Sequence, residues 1–374
     1  MSSVVTVKQG NLFESSAQTL VNTVNCVGIM GKGIALEFKN RFPAMFTDYK
    51  RRCKAGQVKL GRPYLYSDLV LPWVLNFPTK DHWRSVSRLS DIEEGLEHLR
   101  KHYGEWGIES LAVPPLGCGH GQLDWEVVGP VLYRHLTLFS IPIELYAPYG
   151  AKSAVMTVDF LKQASAPAHG SSTRYRVQPS WIALVEILHR LEQEAHSRAI
   201  GRTTFQKIAF VATRCKLPTN LKYYRASYGP FAEDLKKVTT ALINHGLIEE
   251  KKLGRMFQVR VGPSYGEIRV LYGAEIAAWE KQIARITDLF LRVDTSEAEL
   301  IATVLFASDG LAPEKQGRIA EQDVLDEVMD WKKLRRPKLE VRSVADTIRN
   351  LNMLRWLDVH VSPELPVSDP ELYA

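Results

Sequence analysis

Two glycine-rich stretches carry the most legible chemistry in this sequence. Gly28-Ile29-Met30-Gly31-Lys32-Gly33 stands directly before a helical pattern, and Leu116-Gly117-Cys118-Gly119-His120-Gly121 stands shortly before another. A glycine loop at a helix N-terminus offers unpaired backbone N–H groups and the positive end of the helix dipole, which suits a phosphate. Alternate glycines at 117, 119 and 121 let the backbone pass close to a ligand without Cβ contacts. The first stretch lacks the Gly-x-Gly-x-x-Gly spacing of a dinucleotide fold. It is not a P-loop either, because Lys32 is followed by Gly33 rather than Ser or Thr. Alone, each stretch reads as a tight turn. Two strand–glycine loop–helix units in one domain instead predict a diphosphate held between the loops at the carboxyl ends of strands. Asn22 and Asn25 close the preceding apolar run. Residues three apart on a strand face opposite ways, so both meet one ligand only if Asn25 lies beyond the strand end. Asn22 can equally serve neighbouring backbone groups.

The elements that must position these loops alternate through the first 150 residues. Strand signals fall at 4–7, 19–24, 74–77, 110–114 and 141–146, and helical stretches at 34–51 (broken at Pro43), 90–103 and 124–139. Ile92, Leu96, Leu99 and Tyr103 form one stripe after a Ser90/Asp91 start signal, and Asp124 is placed to cap the last helix. Strands alternating with crossover helices predict an α/β domain, its mixed sheet covered on both faces.

The second half reads differently. The small, breaker-rich run Ala164-Ser165-Ala166-Pro167-Ala168-His169-Gly170-Ser171-Ser172 marks a linker, placed at 156–178. Beyond it, amphipathic helices are predicted at 181–197, 203–214, 230–245, 267–289, 294–308, 321–333 and 342–353. Leu242-Ile243-Asn244-His245-Gly246-Leu247-Ile248 parallels Ile348-Arg349-Asn350-Leu351-Asn352-Met353-Leu354. Each copy predicts a helix, a left-handed cap at Gly246 or Asn352, and a strand at 257–261 or 356–361, as winged helices close. The domain expectation is therefore 1–155, then winged-helix-like units at 179–265 and 266–374. Basic residues gather around both: Lys236, Lys237, Lys251, Lys252 and Arg255, then Lys332, Lys333, Arg335, Arg336, Lys338 and Arg342.

Composition bounds the function classes. The chain has 374 residues, 45% hydrophobic and 24% charged, with net charge +6: globular, and compatible with an anionic partner without requiring one. The start lacks a signal-peptide pattern, and no apolar run reaches the ~20 residues of a membrane-spanning helix. Cys26, Cys53, Cys118 and Cys215 form neither a disulfide framework nor a Cys-x-x-Cys metal pattern, so a cytoplasmic protein with no cofactor and no metal is expected. His98 and His102 have metal-pair spacing but no third ligand nearby, and read as a polar helix flank.

Asn22-Thr23-Val24-Asn25, the Gly28–Gly33 loop, Phe77-Pro78-Thr79-Lys80 and Pro115-Leu116-Gly117-Cys118-Gly119-His120-Gly121 together resemble the macrodomain family, and within it the DarG antitoxins. The resemblance covers residues 1 to about 150. Past 175 it rests only on the order of a macrodomain followed by a helical toxin-binding region. It implies an α/β macrodomain that binds ADP-ribose and hydrolytically removes it from thymidine in single-stranded DNA, with a DarT-like toxin as partner of the helical region. Carried over by position, Asn11 and Leu12 edge the adenine pocket and Asn22 and Asn25 face the distal ribose. Gly31, Lys32 and Gly33 line the first loop; Gly117, Cys118, Gly119, His120 and Gly121 form the diphosphate loop; Lys80 is catalytic. One departure is Gly10-Asn11-Leu12, where the family carries Gly-Asp-Ile: Asn keeps an acceptor oxygen and loses the charge.

Cleaving a bond at a ribose anomeric carbon is usually managed by two carboxylates. Neither loop is flanked by such a pair: Glu37 sits one turn into a helix. That raises the weight of Lys80, which as a desolvated amine can act as base or as nucleophile giving a Schiff base. Without the resemblance Lys80 reads as a solvated strand-end lysine, and Cys118 and His120 as loop residues. Trp83, beside Arg84, can stack on a base or anchor its loop. Two other readings remain: a non-catalytic ADP-ribose reader, and a winged-helix DNA-binding regulator with a ligand-sensing macrodomain.

Overall fold

The computed structural model describes residues 5–163, 177–194, 198–254, 256–311 and 319–369. The expected linker sequence 164–172 lies outside them, as does Arg255. The chain divides into two compact units, one of residues 1–176 with 243–245 and the other of residues 177–242 with 246–374.

The first unit runs β1 (Val5–Lys8), β2 (Thr19–Asn25), α1 (Gly33–Arg41), α2 (Pro43–Lys54), β3 (Tyr64–Tyr66), β4 (Trp73–Lys80), α3 (Leu89–His102), β5 (Leu111–Val113), α4 (Trp125–Leu136), β6 (Ile143–Tyr146) and α5 (Val158–Gln163). Six strands form one sheet in the order β1-β6-β5-β2-β4-β3, parallel except for the β3–β4 pair. The sequence missed β3, a three-residue edge strand too short to show alternation. Strands β2 and β4 are buried on both faces, so they read as nearly continuous apolar runs. Leu20, Val24 and Val74 face a core made by Phe38, Met45 and Tyr49 of α1 and α2. Val21, Leu75 and Phe77 face the opposite core, built on Ile92, Leu96, Leu99, Val128 and Leu132 of α3 and α4. Gly95 lets α3 lie close on β4, because a Cβ there would collide with the Phe77 ring. Pro43 ends one helix and starts the next, as expected. Part of the expected linker is structured: α5 occupies Val158–Gln163 and buries Leu161 in the α3/α4-side core.

The second unit is mainly helical: α6 (Pro179–Gln193), α7 (Arg202–Arg214), α8 (Leu235–Asn244), α9 (Tyr265–Leu271), α10 (Gly273–Ala278), α11 (Glu280–Leu291), α12 (Thr295–Leu311), α13 (Glu321–Trp331) and α14 (Val341–Met353). Two antiparallel hairpins interrupt it, β7 (Tyr224–Ala226) with β8 (Gly229–Phe231) and β9 (Ile248–Leu253) with β10 (Met256–Val261). The first repeat copy closes as expected, with Gly246 at φ +67 and Leu247 N donating to Leu242 O before the β9–β10 hairpin. The second copy departs from expectation. Asn352 lies inside α14, its amide spent on Glu321 and Val359 O, and the left-handed residue is Arg355. In place of the expected strand at 356–361, His360 forms an isolated bridge to Ala320. The basic residues also divide: Lys332 is buried, donating to Ser227 O with Glu299 nearby, and Arg335 pairs with Glu299.

An ion-pair network ties α6 to α9. Burial alone would raise Glu186, but hydrogen bonds from Arg269, Tyr265 and Arg190 outweigh it and hold the carboxyl at about 2. The unfolded chain takes up this proton near 4.5, so the stabilisation is complete above that pH and is lost as pH falls toward 2. Glu186→Gln should destabilise the second unit by about 3–5 kcal/mol at pH 7. Urea unfolding at pH 7 and pH 3 checks this: the gap from wild type must narrow at pH 3, and an equal gap contradicts it.

Candidate functional site

The site grows from the carboxyl ends of β2 and β4. Along most of their length the pair keeps strict parallel register, Asn22 opposite Asn76 and Val24 opposite Pro78. The register then shifts, so that Asn25 lies opposite Lys80 and Thr79 becomes an extra residue on β4. Such a bulge bends a strand and re-aims the side chain that follows. Lys80 is 9% exposed, and its Nζ donates to His120 O in the second glycine loop. Cys26 N donates to Lys80 O at 3.1 Å, fixing the strand end to the start of the first loop.

Asn25 is the last residue of β2 rather than a residue beyond it, and its side chain shapes the first loop. Oδ1 accepts from Val27 N at 3.0 Å and Ile29 N at 3.3 Å, while Nδ2 donates to Ile29 O at 2.5 Å. The buried Tyr49 hydroxyl donates to Asn25 O at 2.7 Å and lies 3.1 Å from Oδ1. Asn22, expected to face a ligand, is fully buried beneath this loop. Its Nδ2 donates to Asn76 Oδ1 at 3.0 Å and lies 3.9 Å from Met30 Sδ. Both asparagines therefore support the loop from below.

The first loop presents Gly31, Lys32 and Gly33 to solvent while Met30 anchors it in the core. Lys32 is the N-cap of α1, so the N–H groups of the first turn of α1 open beside it. Gly33, at φ +57, stands where a Cβ would come 3.6 Å from the His120 ring, which brings the two glycine loops together.

Each glycine of the second loop has its own reason. Gly117, at φ +77, is crowded by Leu123, Ile92 and Ser87. Gly121 packs on the Gly117 carbonyl, where a Cβ would collide. Gly119 faces open space. Burial, with Asp124 beside it, pushes the Cys118 thiol up to about 12, which makes it a packing residue rather than a nucleophile. Asp124 caps α4 by accepting from Glu126 N at 3.1 Å. Glu37 is spent on Arg41.

At the other edge, Asn11 Oδ1 accepts from Phe13 N at 3.1 Å and its Nδ2 donates to Glu14. Leu12 is buried in the core, and its carbonyl accepts from Ser15 N at 3.1 Å. Ala147 N donates to Lys8 O, joining the ends of β6 and β1, and Tyr149 projects nearly fully exposed just beyond. Sequence reasoning did not single out Tyr149, three residues past the end of β6. It also read Asp91 only as a helix start. Burial raises this carboxyl against the opposing Arg88, and Asp81 and Glu94 add smaller contributions to the rise. Among the described residues no group of three or more His, Cys, Asp or Glu side chains could hold a metal ion.

The glycine environments set an expected contrast. Gly121→Ala should cost about 1–3 kcal/mol by forcing the loop apart, and Gly119→Ala should leave stability unchanged. Thermal unfolding of both variants checks it; equal losses would contradict the packing described.

A macrodomain family model matches residues 21–132. The chain is 33% identical over 304 residues to a DNA ADP-ribosyl glycohydrolase of Thermus aquaticus, covering 80% of this chain and 81% of that one. It is 42% identical over 158 residues to a Thermosipho africanus DNA ADP-ribosyl transferase–DNA ADP-ribosyl glycohydrolase fusion protein, covering 37% of this chain and 41% of that one. Among solved structures, the macrodomain of Mycobacterium tuberculosis DarG is 44% identical and aligns with 38% of this chain and 99% of its own, at a TM-score of 0.37. With one third of the aligned residues identical across about four fifths of both chains, this chain belongs to the DNA ADP-ribosyl glycohydrolase family.

Proposed function

We propose that this chain hydrolytically removes ADP-ribose from thymidine bases in single-stranded DNA. The observation that carries this reading is the buried Lys80, turned by the β4 bulge to the point where the two glycine loops meet. The diphosphate lies between the backbone of Gly31, Lys32 and Gly33 and that of Gly117, Cys118, Gly119, His120 and Gly121. Asn11 and Leu12 edge the adenine. Asn22 and Asn25 back the distal ribose by holding the first loop, and Lys80 meets the anomeric carbon.

Cleavage separates that carbon from the base, which takes the proton, and water becomes the new hydroxyl. Lys80 serves either as the base that activates water or as the amine that joins the opened sugar in a Schiff base, later hydrolysed. No helix among the described residues is long and apolar enough to cross a membrane. The free Cys26, Cys53, Cys118 and Cys215 suit a cytoplasmic setting.

The second unit is assigned a DarT-like toxin as partner. The relative whose name joins transferase and glycohydrolase in one chain supports that pairing. A DNA-binding role for this unit gains less support, since Lys332 and Arg335 are spent on internal contacts.

Single-turnover release of ADP-ribose from a thymidine-modified single-stranded oligonucleotide tests the enzyme. Wild type should release it, and Lys80→Ala should lose about 10²-fold or more while still binding ADP-ribose. Reduction with cyanoborohydride during turnover separates the two lysine roles, because only a Schiff base leaves a stable adduct. Tight ADP-ribose binding without release by wild type would leave a reader instead. The Lys80→Ala chain should still form a stoichiometric complex with the toxin on gel filtration, and its failure to do so would remove the sequestration role.

A further inference from the structure

The loop that leaves β4 carries a built feature that the ADP-ribose site does not use. His82 and Trp83 stack at 5.6 Å between ring centroids, 28° apart, and the Arg84 guanidinium lies 4.5 Å from the centre of the Trp83 ring. Trp83 is 44% exposed, and Arg84 and the nearby Arg88 are exposed as well. An indole that merely anchored its loop would be sunk in one of the two cores. This one belongs to neither, and its ring meets His82 and Arg84 of its own turn.

The turn itself is tightly made. His82 N donates to Asp81 Oδ1 at 2.6 Å, Arg84 N lies 3.2 Å from His82 Nδ1, and Ser85 N donates to His82 O at 3.0 Å. Both of its ends are tied to the site. Cys26 N, at the start of the first glycine loop, lies 3.3 Å from Asp81 O, and Ser87 N donates to Gly121 O of the second loop at 3.0 Å. The stacked trio is thereby held at the mouth beside Lys80.

We propose that His82, Trp83 and Arg84 form a stacking platform for the unmodified base next to the ADP-ribosylated nucleotide, with Arg84 and Arg88 meeting the flanking phosphates. The proposal rests on the reading of the substrate as ADP-ribosylated single-stranded DNA and names what would make a strand, rather than a nucleoside, the preferred form. Every base has a π-face, so a platform of this kind accepts any neighbouring base and reads strandedness rather than sequence. Guanidinium groups on a backbone make the contact salt-dependent. None of these residues is among those assigned to ADP-ribose above, so the platform acts on the nucleic-acid side of the scissile bond.

The experiment uses the full chain and compares wild type with Trp83→Ala and Trp83→Phe. Three quantities are read: affinity for an unmodified fluorescent single-stranded oligonucleotide, and ADP-ribose release from a modified oligonucleotide and from modified thymidine alone. Trp83→Ala should weaken oligonucleotide binding by about tenfold or more and lower subsaturating release from the oligonucleotide to match. Release from the nucleoside should stay within about twofold, and Trp83→Phe should recover most of the loss. Unchanged oligonucleotide binding, or an equal loss on nucleoside and oligonucleotide, would overturn the platform and leave Trp83 an anchor of the loop. Wild type that releases ADP-ribose from neither substrate would remove the hydrolase reading, and the binding arm would still decide the platform.

Discussion

The parallel pairing of β2 with β4, and the single register shift at its end, is the constraint on which the site depends. A regular ladder would continue the alternation that points Asn76 and Pro78 the same way and would carry residue 80 along with them. The extra Thr79 breaks that sequence, sets Lys80 opposite Asn25, and lets its amine reach the His120 carbonyl. The two cores on either side fix the strands themselves, with Phe77 seated against Gly95 of α3 on one face and Val74 packed in the α1/α2-side core on the other. Loop positions then follow from strand positions. The asparagine amides under the first loop and the Ser87–Gly121 bond beside the second convert sheet geometry into ligand geometry.

This arrangement places two kinds of polar group at the same strand ends. Backbone N–H groups of the glycine loops suit a diphosphate, which is held by many weak, oriented donors. In the proposed reaction a single buried amine meets the anomeric carbon, where charge develops only during reaction. No pair of carboxylates is needed to make that division work. Glu37 and Asp124, the acidic residues nearest the loops in sequence, are occupied by Arg41 and by the cap of α4.

Much of this was legible in the sequence. The two glycine stretches, the asparagines, the break at Pro43 and the Asp124 cap are local signals whose physics does not depend on the rest of the chain. The bulge at Thr79 was invisible, because a register shift is a property of two strands and leaves no mark on either alone. For the same reason the sequence did not show the pairing of Asn22 with Asn76 across the two strands, or the hydrogen bonds by which Asn25 holds the first loop. Tyr64–Tyr66 was too short to alternate, and helix α5 was hidden in a stretch that reads as the approach to a linker. In the second unit both copies of the repeat hold the helix, but the left-handed residue of the second falls at Arg355 instead of Asn352 and its strand does not form. Apolar residues after Leu354 fold back as coil, with Trp356 and Leu357 buried.

The central claim is that both glycine loops and Lys80 meet one ligand. Backbone amide resonances followed during titration with ADP-ribose test it most directly. The account predicts that the amides of Gly31, Gly33, Gly119, His120 and Lys80 shift together and saturate at one stoichiometric equivalent. Shifts confined to a single loop, or two loops saturating at different concentrations, would contradict it.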